Sequence, residues 1–296
     1  MTVFTIALIF IMILLFSWQS LFSRIQANNY PGSEADAPIA FSVWYGLLIA
    51  VLTFLGSGLK FQPTLPTVIL GVLNAMIVLG YNICLLGASS RGNYSITIIF
   101  MIFGGILIPL FISVLFKGDV ISPLQWAAIL LMLVSFFLMN KPEKGTEKNK
   151  KGFLLLCVLL FVFNGVYGSV MSWQQDLLQN KESREMVMTT YFMLSLFSFL
   201  FLLLKSRGRL SLLKQTKKSA LFLILAGLVG TGAQNLMLYL VGAGGVKEGI
   251  LYTLDNGGAM LFSVLYSVVL FKEKLTKLQI FSLILALVAL LSLCAV

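Results

Sequence analysis

Long apolar segments separated by short polar stretches recur along the whole chain. A helix needs about 20 apolar residues to cross the hydrocarbon core of a bilayer. Ten segments reach that length, with bounds near 3–24, 39–59, 66–88, 93–116, 121–140, 152–174, 186–204, 219–241, 247–271 and 275–295. The pattern predicts an all-α integral membrane protein with ten transmembrane helices. The first segment has no basic leader and no cleavage site of small residues, so it is expected to be retained as a helix.

The composition supports a membrane location and excludes several other classes of protein. The chain is 59% hydrophobic and 11% charged, whereas soluble domains are about 25% charged. Its net charge of +10 comes from short clusters of lysine and arginine between apolar segments. That placement sets membrane orientation, so no nucleic-acid partner is expected. With no histidine and three widely separated cysteines, the chain is expected to hold no metal site and no cofactor.

The two halves of the chain carry related sequence. Three stretches recur 155 residues later: Ser17–Gln19 at Ser172–Gln174, Gly87–Ala88 at Gly242–Ala243, and Val114–Lys117 at Val269–Lys272. We therefore assign residues 1–140 to a first five-helix repeat, residues 141–151 to a charged linker, and residues 152–296 to a second five-helix repeat. Because five is odd, the second repeat enters the membrane from the opposite side. The halves are expected to form an inverted repeat, which is typical of many secondary transporters.

Short motifs in both halves resemble one family of membrane proteins. Residues 18–22 read WQSLF, and the second half ends with LFKEKLTKLQIFSLILALVALL. These motifs are similar to those of the EamA-like, ten-helix branch of the drug/metabolite transporter superfamily. Gln19 stands where the family has glycine, and Lys117-Gly118 replaces Gly-Glu in the first half. The resemblance implies a transporter of small metabolites, in a family whose substrates include amino acids, sugars, nucleotide sugars, drugs and amines.

The lysines and arginines are divided unevenly between the two sides of the predicted membrane. Loops after odd-numbered segments carry 16 of them, and loops after even-numbered segments carry 5. Since positive residues favour the cytoplasm, this count predicts a multi-pass protein of the plasma membrane with both termini outside. The resemblance implies the opposite orientation, because well-known members of the family are thought to keep their termini inside. The charge count favours the first of these two orientations.

Asp255 is the one charged residue well inside a predicted membrane segment. A charge at a helix centre costs about 2.5–3.5 kcal/mol on insertion scales, so such a residue faces a cavity, a partner or a pathway. Its helix face also carries small or polar residues at spacings of three or four: Tyr252, Asn256, Ala259, Ser263 and Tyr266. Asp255, Tyr252 and Asn256 are assigned to a substrate- or proton-binding site, and the alternative is a protonated, purely structural acid. Glu248 and Lys277, at segment ends, are expected to snorkel to the interface.

Five further residues complete the candidate site: Trp18, Gln19, Trp173, Gln174 and Asn235. Trp18 and Trp173 either line a cavity, where aromatic faces hold cations, or belong to the aromatic belt of the membrane interface. Gln19 and Gln174 favour a protein-lined cavity, because amides are costly to place in lipid. Asn235, like the other amides within the segments, has interhelical hydrogen bonding as its alternative role.

Together these features predict a secondary transporter, and not an enzyme, that works by alternating access as a monomer in the lipid bilayer. The two halves are expected to rock around a midplane cavity lined by helices 1, 3, 4, 6, 8 and 9. The substrate is expected to be a small polar metabolite such as an amino acid or amine, with a cationic charge and a coupled proton as open alternatives. A multidrug or organic-cation exporter is the other candidate. A non-transporting scaffold and an intramembrane enzyme are less favoured, since catalysis would need paired acids, histidine or metal ligands.

Overall fold

The computed structural model describes residues 2–33, 36–89, 91–92, 94–139, 151–206, 210–272 and 275–294, and it is helical there with no strand. The α-helices in chain order are α1 (Val3–Asn28), α2 (Ala37–Gly56), α3 (Leu65–Ser89), α4 (Tyr94–Phe116), α5 (Pro123–Met139), α6 (Phe153–Leu177), α7 (Ser183–Ser206), α8 (Lys217–Val241), α9 (Glu248–Phe271) and α10 (Lys277–Cys294), and a short 3-10 helix spans Leu210–Leu213. Apart from Lys151, the predicted linker lies outside the described residues. The all-α prediction is confirmed for the part of the chain that the structure describes.

Most of these helices are long and apolar enough to cross a bilayer. Within the described residues, seven meet both requirements: α1, α2, α3, α4, α6, α7 and α8. Two shorter apolar helices lie at Pro123–Met139 and Lys277–Leu293, and α9 is 24 residues long. The chain is therefore a multi-pass membrane protein by length and composition, while the count of ten spans stays a prediction.

Residues at the helix ends fix where several helices begin. Thr2 Oγ1 accepts the N–H of Thr5 at 3.1 Å, and Thr216 Oγ1 accepts the N–H of Ser219 at 3.0 Å, so threonine caps open α1 and α8. Pro38 lies in the first turn of α2, where its missing N–H leaves no intrahelical partner unpaired. These boundaries coincide with the change from polar loop to apolar segment that predicted the helices.

Helices of the two halves interleave instead of forming separate bodies. The largest interfaces join α1 to α8, α2 to α7, α3 to α6, α4 to α6 and α5 to α10. In a repeat of five helices, α1 corresponds to α6, α2 to α7, and so on. The counterpart of the α1–α8 pair is then α6–α3, and that of the α4–α6 pair is α9–α1; both counterparts also pack together. The α2–α7 and α5–α10 pairs are their own counterparts. One pairing rule therefore describes the packing of both halves.

Small residues allow these helices to approach closely. A Cβ atom on Gly104 of α4 would overlap the backbone carbonyl of Phe161 in α6, and a Cβ on Gly46 of α2 would approach the carbonyl of Tyr191 in α7. Such contacts supply van der Waals attraction between helices, which is a main source of association where lipid is as apolar as the helix surfaces. The close crossings hold α4 against α6 and α2 against α7, around the centre of the bundle.

The helix ends form two polar surfaces, which we name the Gln26 end and the Lys117 end. At the Gln26 end, Gln26 Nε2 donates to Gln215 Oε1 at 2.9 Å, and an ion pair joins Lys205 to Asp36. The C-termini of α1 and α7 meet the N-termini of α2 and α8 there. At the Lys117 end, Lys117 contacts the end of α6 and the start of α9.

Candidate functional site

A cavity of about 370 Å³ lies among eight of the helices, between the centre of the bundle and the Gln26 end. Its lining residues are Phe16, Gln19, Ser20, Pro38, Phe41, Ser42, Tyr45, Val78, Tyr81, Asn82, Met101, Gly105, Asn164, Tyr167, Tyr191, Leu194, Gln234, Tyr252, Asp255, Asn256 and Ala259. They include contributions from α2 and α7 as well as from the six helices expected from the sequence. None of these lining residues comes from α5 or α10, which pack together to one side.

Asp255 lies in the wall of this cavity and is the one charged residue among those that line it. Its Oδ1 atom is buried and has no hydrogen-bond partner among the described residues. A buried carboxylate without a partner is costly, because it loses hydration and gains no compensating interaction. The unpaired oxygen therefore marks a place where a ligand, a proton or water completes the site.

The spacing of residues along α9 explains why Asp255 faces the cavity. Tyr252, Asn256 and Ala259 stand three or four residues from one another, share one helix face with Asp255, and all line the cavity. A Cβ atom on Gly257 would overlap Met132 of α5, so this glycine lets the two helices pack closely. The helix runs unbroken from Glu248 to Phe271. The glycine pair beside Asp255 thus serves close packing, and α9 has no break at the acid.

Amide side chains form a second group in the cavity wall. Asn82 Nδ2 donates to Ser42 Oγ at 2.8 Å, and Asn164 Nδ2 donates to the Met101 carbonyl at 2.7 Å. Asn256 Nδ2 donates to the Tyr252 carbonyl at 2.8 Å, and Gln19 Nε2 donates to Ser23 Oγ at 3.2 Å. Each amide nitrogen is thereby anchored to the protein, either to a neighbouring helix or to its own. Interhelical bonding, the alternative role for such amides, is real for Asn82 and Asn164, yet both also face the cavity.

Aromatic side chains line much of the cavity wall. The Tyr45 and Tyr191 rings lie edge to face with centroids 6.0 Å apart, and Phe41 stacks on Tyr45 at 4.8 Å. A Cβ atom on Gly168 would overlap the Tyr252 hydroxyl, so that glycine makes room for the ring. Aromatic faces carry negative charge density that attracts cations. Together with Asp255, they make this region of the cavity electronegative.

The structure places four of the sequence-predicted site residues away from the cavity lining. Trp18 and Trp173 are 43% and 49% exposed on the outside of the bundle, and the Trp173 ring lies edge-on to Phe116. Gln174 is fully buried and donates to Thr67 Oγ1 at 3.0 Å. Asn235 Nδ2 donates to Thr53 Oγ1 at 3.2 Å. The cavity therefore brings together Asp255, Asn256, Tyr252 and Gln19 but not these four.

A tightly packed layer separates the cavity from the Lys117 end. Tyr167, Gln234 and Tyr252 belong both to the cavity wall and to a small void of about 10 Å³ beyond it, which Met171 and Gln175 also line. A void needs roughly 10–15 Å³ to hold one water molecule, so this one is at the lower limit. The described part of the chain therefore leaves no wide passage from the cavity to the Lys117 end.

A cluster of charged residues lies beyond this layer, at the Lys117 end. Lys117 Nζ is 2.7 Å from Asp176 Oδ2 and 2.8 Å from Glu248 Oε2, and it also contacts the Ser172 hydroxyl. Ser169 Oγ donates to Glu248 Oε1 at 2.6 Å. Burial acts to lower the pKa of Lys117, but the carboxylates of Glu248 and Asp176 outweigh that effect and raise the pKa. The cluster joins α4, α6 and α9 at one point.

Glu248 corrects an expectation drawn from the sequence. Its position at the edge of an apolar segment predicted that it would snorkel to the membrane interface. Instead, the side chain is only 1% exposed and is held by Lys117 and Ser169. The prediction was wrong because its partners lie about 130 and 80 residues away along the chain, where no local pattern reveals them. Lys277, predicted to behave likewise, is exposed as expected.

Sequence reasoning also missed the tyrosines that line the cavity. Tyr45, Tyr167 and Tyr191 each stand within an apolar stretch of α2, α6 or α7. All three are deeply placed, and Tyr167 forms a side-chain hydrogen bond with Gln234. A phenolic hydroxyl in the middle of a membrane segment needs a partner. That requirement was an available signal, but it is weaker than a charge and does not distinguish a cavity from a helix contact.

Comparisons with known proteins agree with the fold. Residues 151–294, nearly half of the chain, match the EamA-like transporter family. One solved structure, described only as the crystal structure of a protein, has a TM-score of 0.74 and covers 98% of each chain at 15% sequence identity. At that identity the likeness shows the fold alone. No curated protein matches the chain. The family match confirms the resemblance drawn from the sequence.

Proposed function

We propose that the protein is a secondary transporter that moves a small polar metabolite by alternating access, because residues 151–294 match the EamA-like transporter family. The family match supports membrane transport of a small molecule in a lipid bilayer. The observation that carries the finer proposal is the unpaired Asp255 carboxylate in a cavity of about 370 Å³. An ionisable residue at membrane depth that faces a cavity is a functional group by default.

The charge of the cavity indicates what enters it. Among the described residues that line it, Asp255 is the only one with a formal charge, and aromatic rings line the same cavity. A negatively charged, largely desolvated site attracts a cation and repels an anion, since Coulomb interactions strengthen as the local dielectric falls. The positive charge comes either from the substrate, as an ammonium group, or from a coupled proton that neutralises Asp255. Both roles require the carboxylate.

The helix packing supports a rocking motion of the two halves. Each main interface has a counterpart under exchange of helices five apart, which is the relation expected of an inverted repeat. In such proteins the substrate site lies at the repeat interface, and the repeats tilt against each other to open one side at a time. The cavity at the centre of the interleaved helices occupies that position.

The two ends of the bundle correspond to two different gates in this proposal. The cavity extends toward the Gln26 end as far as Pro38, in the first turn of α2. At the other end, the Tyr252 layer and the ion pairs of Lys117 with Glu248 and Asp176 close the passage. Opening toward the Lys117 end would then require these ion pairs to separate.

The charge distribution supports an assignment of the two ends to the two sides of a plasma membrane. The loops after odd-numbered segments, which hold 16 of the 21 lysines and arginines, belong to the Gln26 end. By the preference of positive residues for the cytoplasm, the Gln26 end faces inside and both termini face outside. The cavity would then be accessible from the cytoplasm, as suits an exporter that loads its substrate there.

A multidrug or organic-cation exporter is the second candidate, and the aromatic lining favours it. Phe16, Phe41 and the tyrosines offer apolar and aromatic surface to ligands of different shape. Sites that bind chemically diverse cations use such adaptable surfaces. When the shape of the ligand changes at constant charge, affinity should fall steeply for a selective metabolite carrier and little for a multidrug exporter.

Transport by the purified chain in proteoliposomes tests the proposal. Radiolabelled amines, amino acids, sugars and nucleosides would be offered with and without a pH gradient. We expect saturable movement of a cationic solute, and a loss of at least about tenfold in initial rate for Asp255→Asn, which removes the charge at nearly constant volume. Asp36→Asn is the matched control, because Asp36 pairs with Lys205 at the surface and such pairs contribute little.

Two outcomes would contradict the proposal. Absence of saturable transport for every solute class would indicate a non-transporting scaffold. Transport by Asp255→Asn at the rate and pH dependence of the original protein would show that Asp255 is structural. A pH gradient that drives accumulation in the original protein but not in the variant would assign the coupled proton to Asp255.

A further inference from the structure

Four amide side chains in the cavity wall use their nitrogens to bind the protein and leave their oxygens as acceptors. The amide nitrogens of Gln19, Asn82, Asn164 and Asn256 are each bonded to the protein, at 2.7–3.2 Å. Among the described residues, no donor bonds to the side-chain oxygens of these four amides. An amide that is anchored through one N–H group keeps its oxygen, with two lone pairs, as an acceptor. The residues that line the cavity therefore include four amides whose oxygens accept no hydrogen bond from the described residues, together with Asp255.

The described residues that line the cavity include no cationic side chain to pair with an anion. None of its lining residues is lysine or arginine, and the chain contains no histidine. Lys117, at the closed end of the bundle, is already paired with Glu248 and Asp176. A carboxylate brought into this cavity would lose its hydration, meet no cation and approach Asp255, all of which are unfavourable.

From this arrangement we infer that the site takes an organic cation that carries N–H groups and no carboxylate: a primary or secondary amine, a diamine or a guanidinium. This inference rests on the proposed function and narrows its substrate class. It excludes α-amino acids, whose carboxylate would meet no cationic side chain among the described lining residues. It also separates N–H cations from quaternary ammonium ions, which have the same charge but no hydrogen to donate.

Two effects compete for a quaternary ammonium ion in this cavity. The tyrosine rings attract any cation through their faces. The amide oxygens, however, leave water when the ligand enters, and a quaternary ion cannot replace the hydrogen bonds that they lose. A site built to bond an N–H group rejects an isostere without it more strongly than an apolar pocket rejects a change in size. Four free oxygens make the second effect the larger one here.

Binding of matched ligands to the purified protein tests the inference. Each series shares one carbon skeleton and varies only the polar end, as in phenethylamine, phenylalanine, phenethyltrimethylammonium and phenethyl alcohol. A second series on a butyl skeleton covers another shape. A third set of ligands carries a guanidinium group as the polar end. Binding would be measured by thermal shift and titration calorimetry at constant ionic strength, with sodium and potassium salts alone as further ligands. We expect the amine to bind on the order of tenfold more tightly than the other three members of its series.

Variants of the amide oxygens test the same inference from the protein side. Asn164→Leu and Gln19→Met replace an amide by an apolar side chain of similar size. We expect each to reduce the preference for the amine over its trimethyl analogue severalfold, because the amine loses a hydrogen bond and the trimethyl analogue no longer dehydrates an unpaired oxygen. Gln125→Met is the matched control, because Gln125 is a buried glutamine of α5, a helix that does not line the cavity.

The outcomes separate the inference from the proposed function. If amino acids or alcohols bind as tightly as the amines, or quaternary ions bind more tightly, the site takes ligands and the transporter proposal stands, but the inferred class is wrong. Stabilisation by sodium or potassium alone, with no effect of any amine, would also overturn it, because the oxygens would then form a metal-ion site. If no member of any series binds at saturating concentration, the inferred class is wrong, and the transport assay with sugars and nucleosides decides whether the proposed function fails as well.

Discussion

Two carboxylates, Glu248 and Asp255, lie seven residues apart on α9, and their surroundings differ. Since seven residues are about two helical turns, Glu248 and Asp255 lie on the same side of the helix. Glu248 is held by Lys117 and Ser169, whereas Asp255 Oδ1 has no partner among the described residues. The Glu248 carboxylate, through its ion pair and hydrogen bond, joins three helices to one another. The Asp255 carboxylate has no such partner within the described part of the chain and can still bind a ligand.

The largest expected effect comes from leaving Glu248 without its cation. Lys117→Met should lower the free energy of unfolding by about 3 kcal/mol, because breaking a buried ion pair strands a charge. The measurement is an SDS-unfolding titration in mixed micelles. Lys247→Met, which removes a neighbouring lysine that donates to the Val120 carbonyl, should cost about 1 kcal/mol or less.

A double substitution sharpens this result. Adding Glu248→Gln to Lys117→Met removes both charges of the pair and should recover about 2 kcal/mol of the loss. Recovery of that size would show that the penalty comes from the stranded carboxylate. A double variant no more stable than Lys117→Met would show instead that Lys117 stabilises the fold through its contacts with Asp176 and Ser172.

The hydroxyl of Ser169 should make the next largest contribution. Ser169→Ala removes a hydrogen bond to the charged Glu248, and we expect the free energy of unfolding to fall by about 2 kcal/mol. Ser135→Ala is the control, because Ser135 is equally buried but donates to the neutral carbonyl of Ser282 at 2.7 Å. Its loss should cost about 1 kcal/mol, and equal losses in the two variants would contradict the special role of Glu248.

Asp255→Asn should have little effect on the same measurement. Asp255 Oδ1 has no protein hydrogen bond to lose, so the free energy of unfolding should change by less than about 0.5 kcal/mol or rise. Transport should fall strongly in the same preparation, which separates the two acids most clearly. A loss of several kcal/mol would mean that Asp255 stabilises the fold and would remove the main support for its role in binding.

The smallest effect is expected from pH on the Lys117 cluster. The pKa of Lys117 is raised in the folded protein by Glu248 and Asp176, although burial opposes them. A raised pKa stabilises the fold fully below the unfolded value, near 10.4, and this contribution is lost as pH rises through the folded pKa. The stability difference between the original protein and the double variant should therefore stay constant from about pH 7 to 9 and shrink only above about pH 10. A decline near neutral pH would contradict this assignment.

The pattern of apolar segments predicted the helices closely, because a membrane-spanning helix is recognisable from the composition of its own residues. The predicted segment 219–241 corresponds to α8, Lys217–Val241, and 121–140 corresponds to α5, Pro123–Met139. Asp255 was also predictable, since a charge inside an oily segment is a local signal. The polar face at Tyr252 and Asn256 followed from helical spacing alone, and both residues line the cavity.

The rest of the site depends on contacts between distant parts of the chain. Nothing near Lys117 in sequence indicates that it meets Asp176 and Glu248. Trp18 and Trp173 stand at equivalent positions of the two halves, but equivalence does not determine which way a ring points, and both are half exposed. Tyr45 and Tyr191 line the cavity from α2 and α7, and a single tyrosine in an apolar helix does not reveal which neighbour it faces.

The interleaving of the helices has a consequence for biosynthesis. The first five helices leave the ribosome before their main partners exist, since α1, α2, α3 and α5 pack chiefly against α8, α7, α6 and α10. They must remain in the bilayer as separate, stable spans until the second half is inserted. Two fragments made from separate messages and divided within residues 141–151 should therefore find each other in the membrane, while either fragment alone should be degraded.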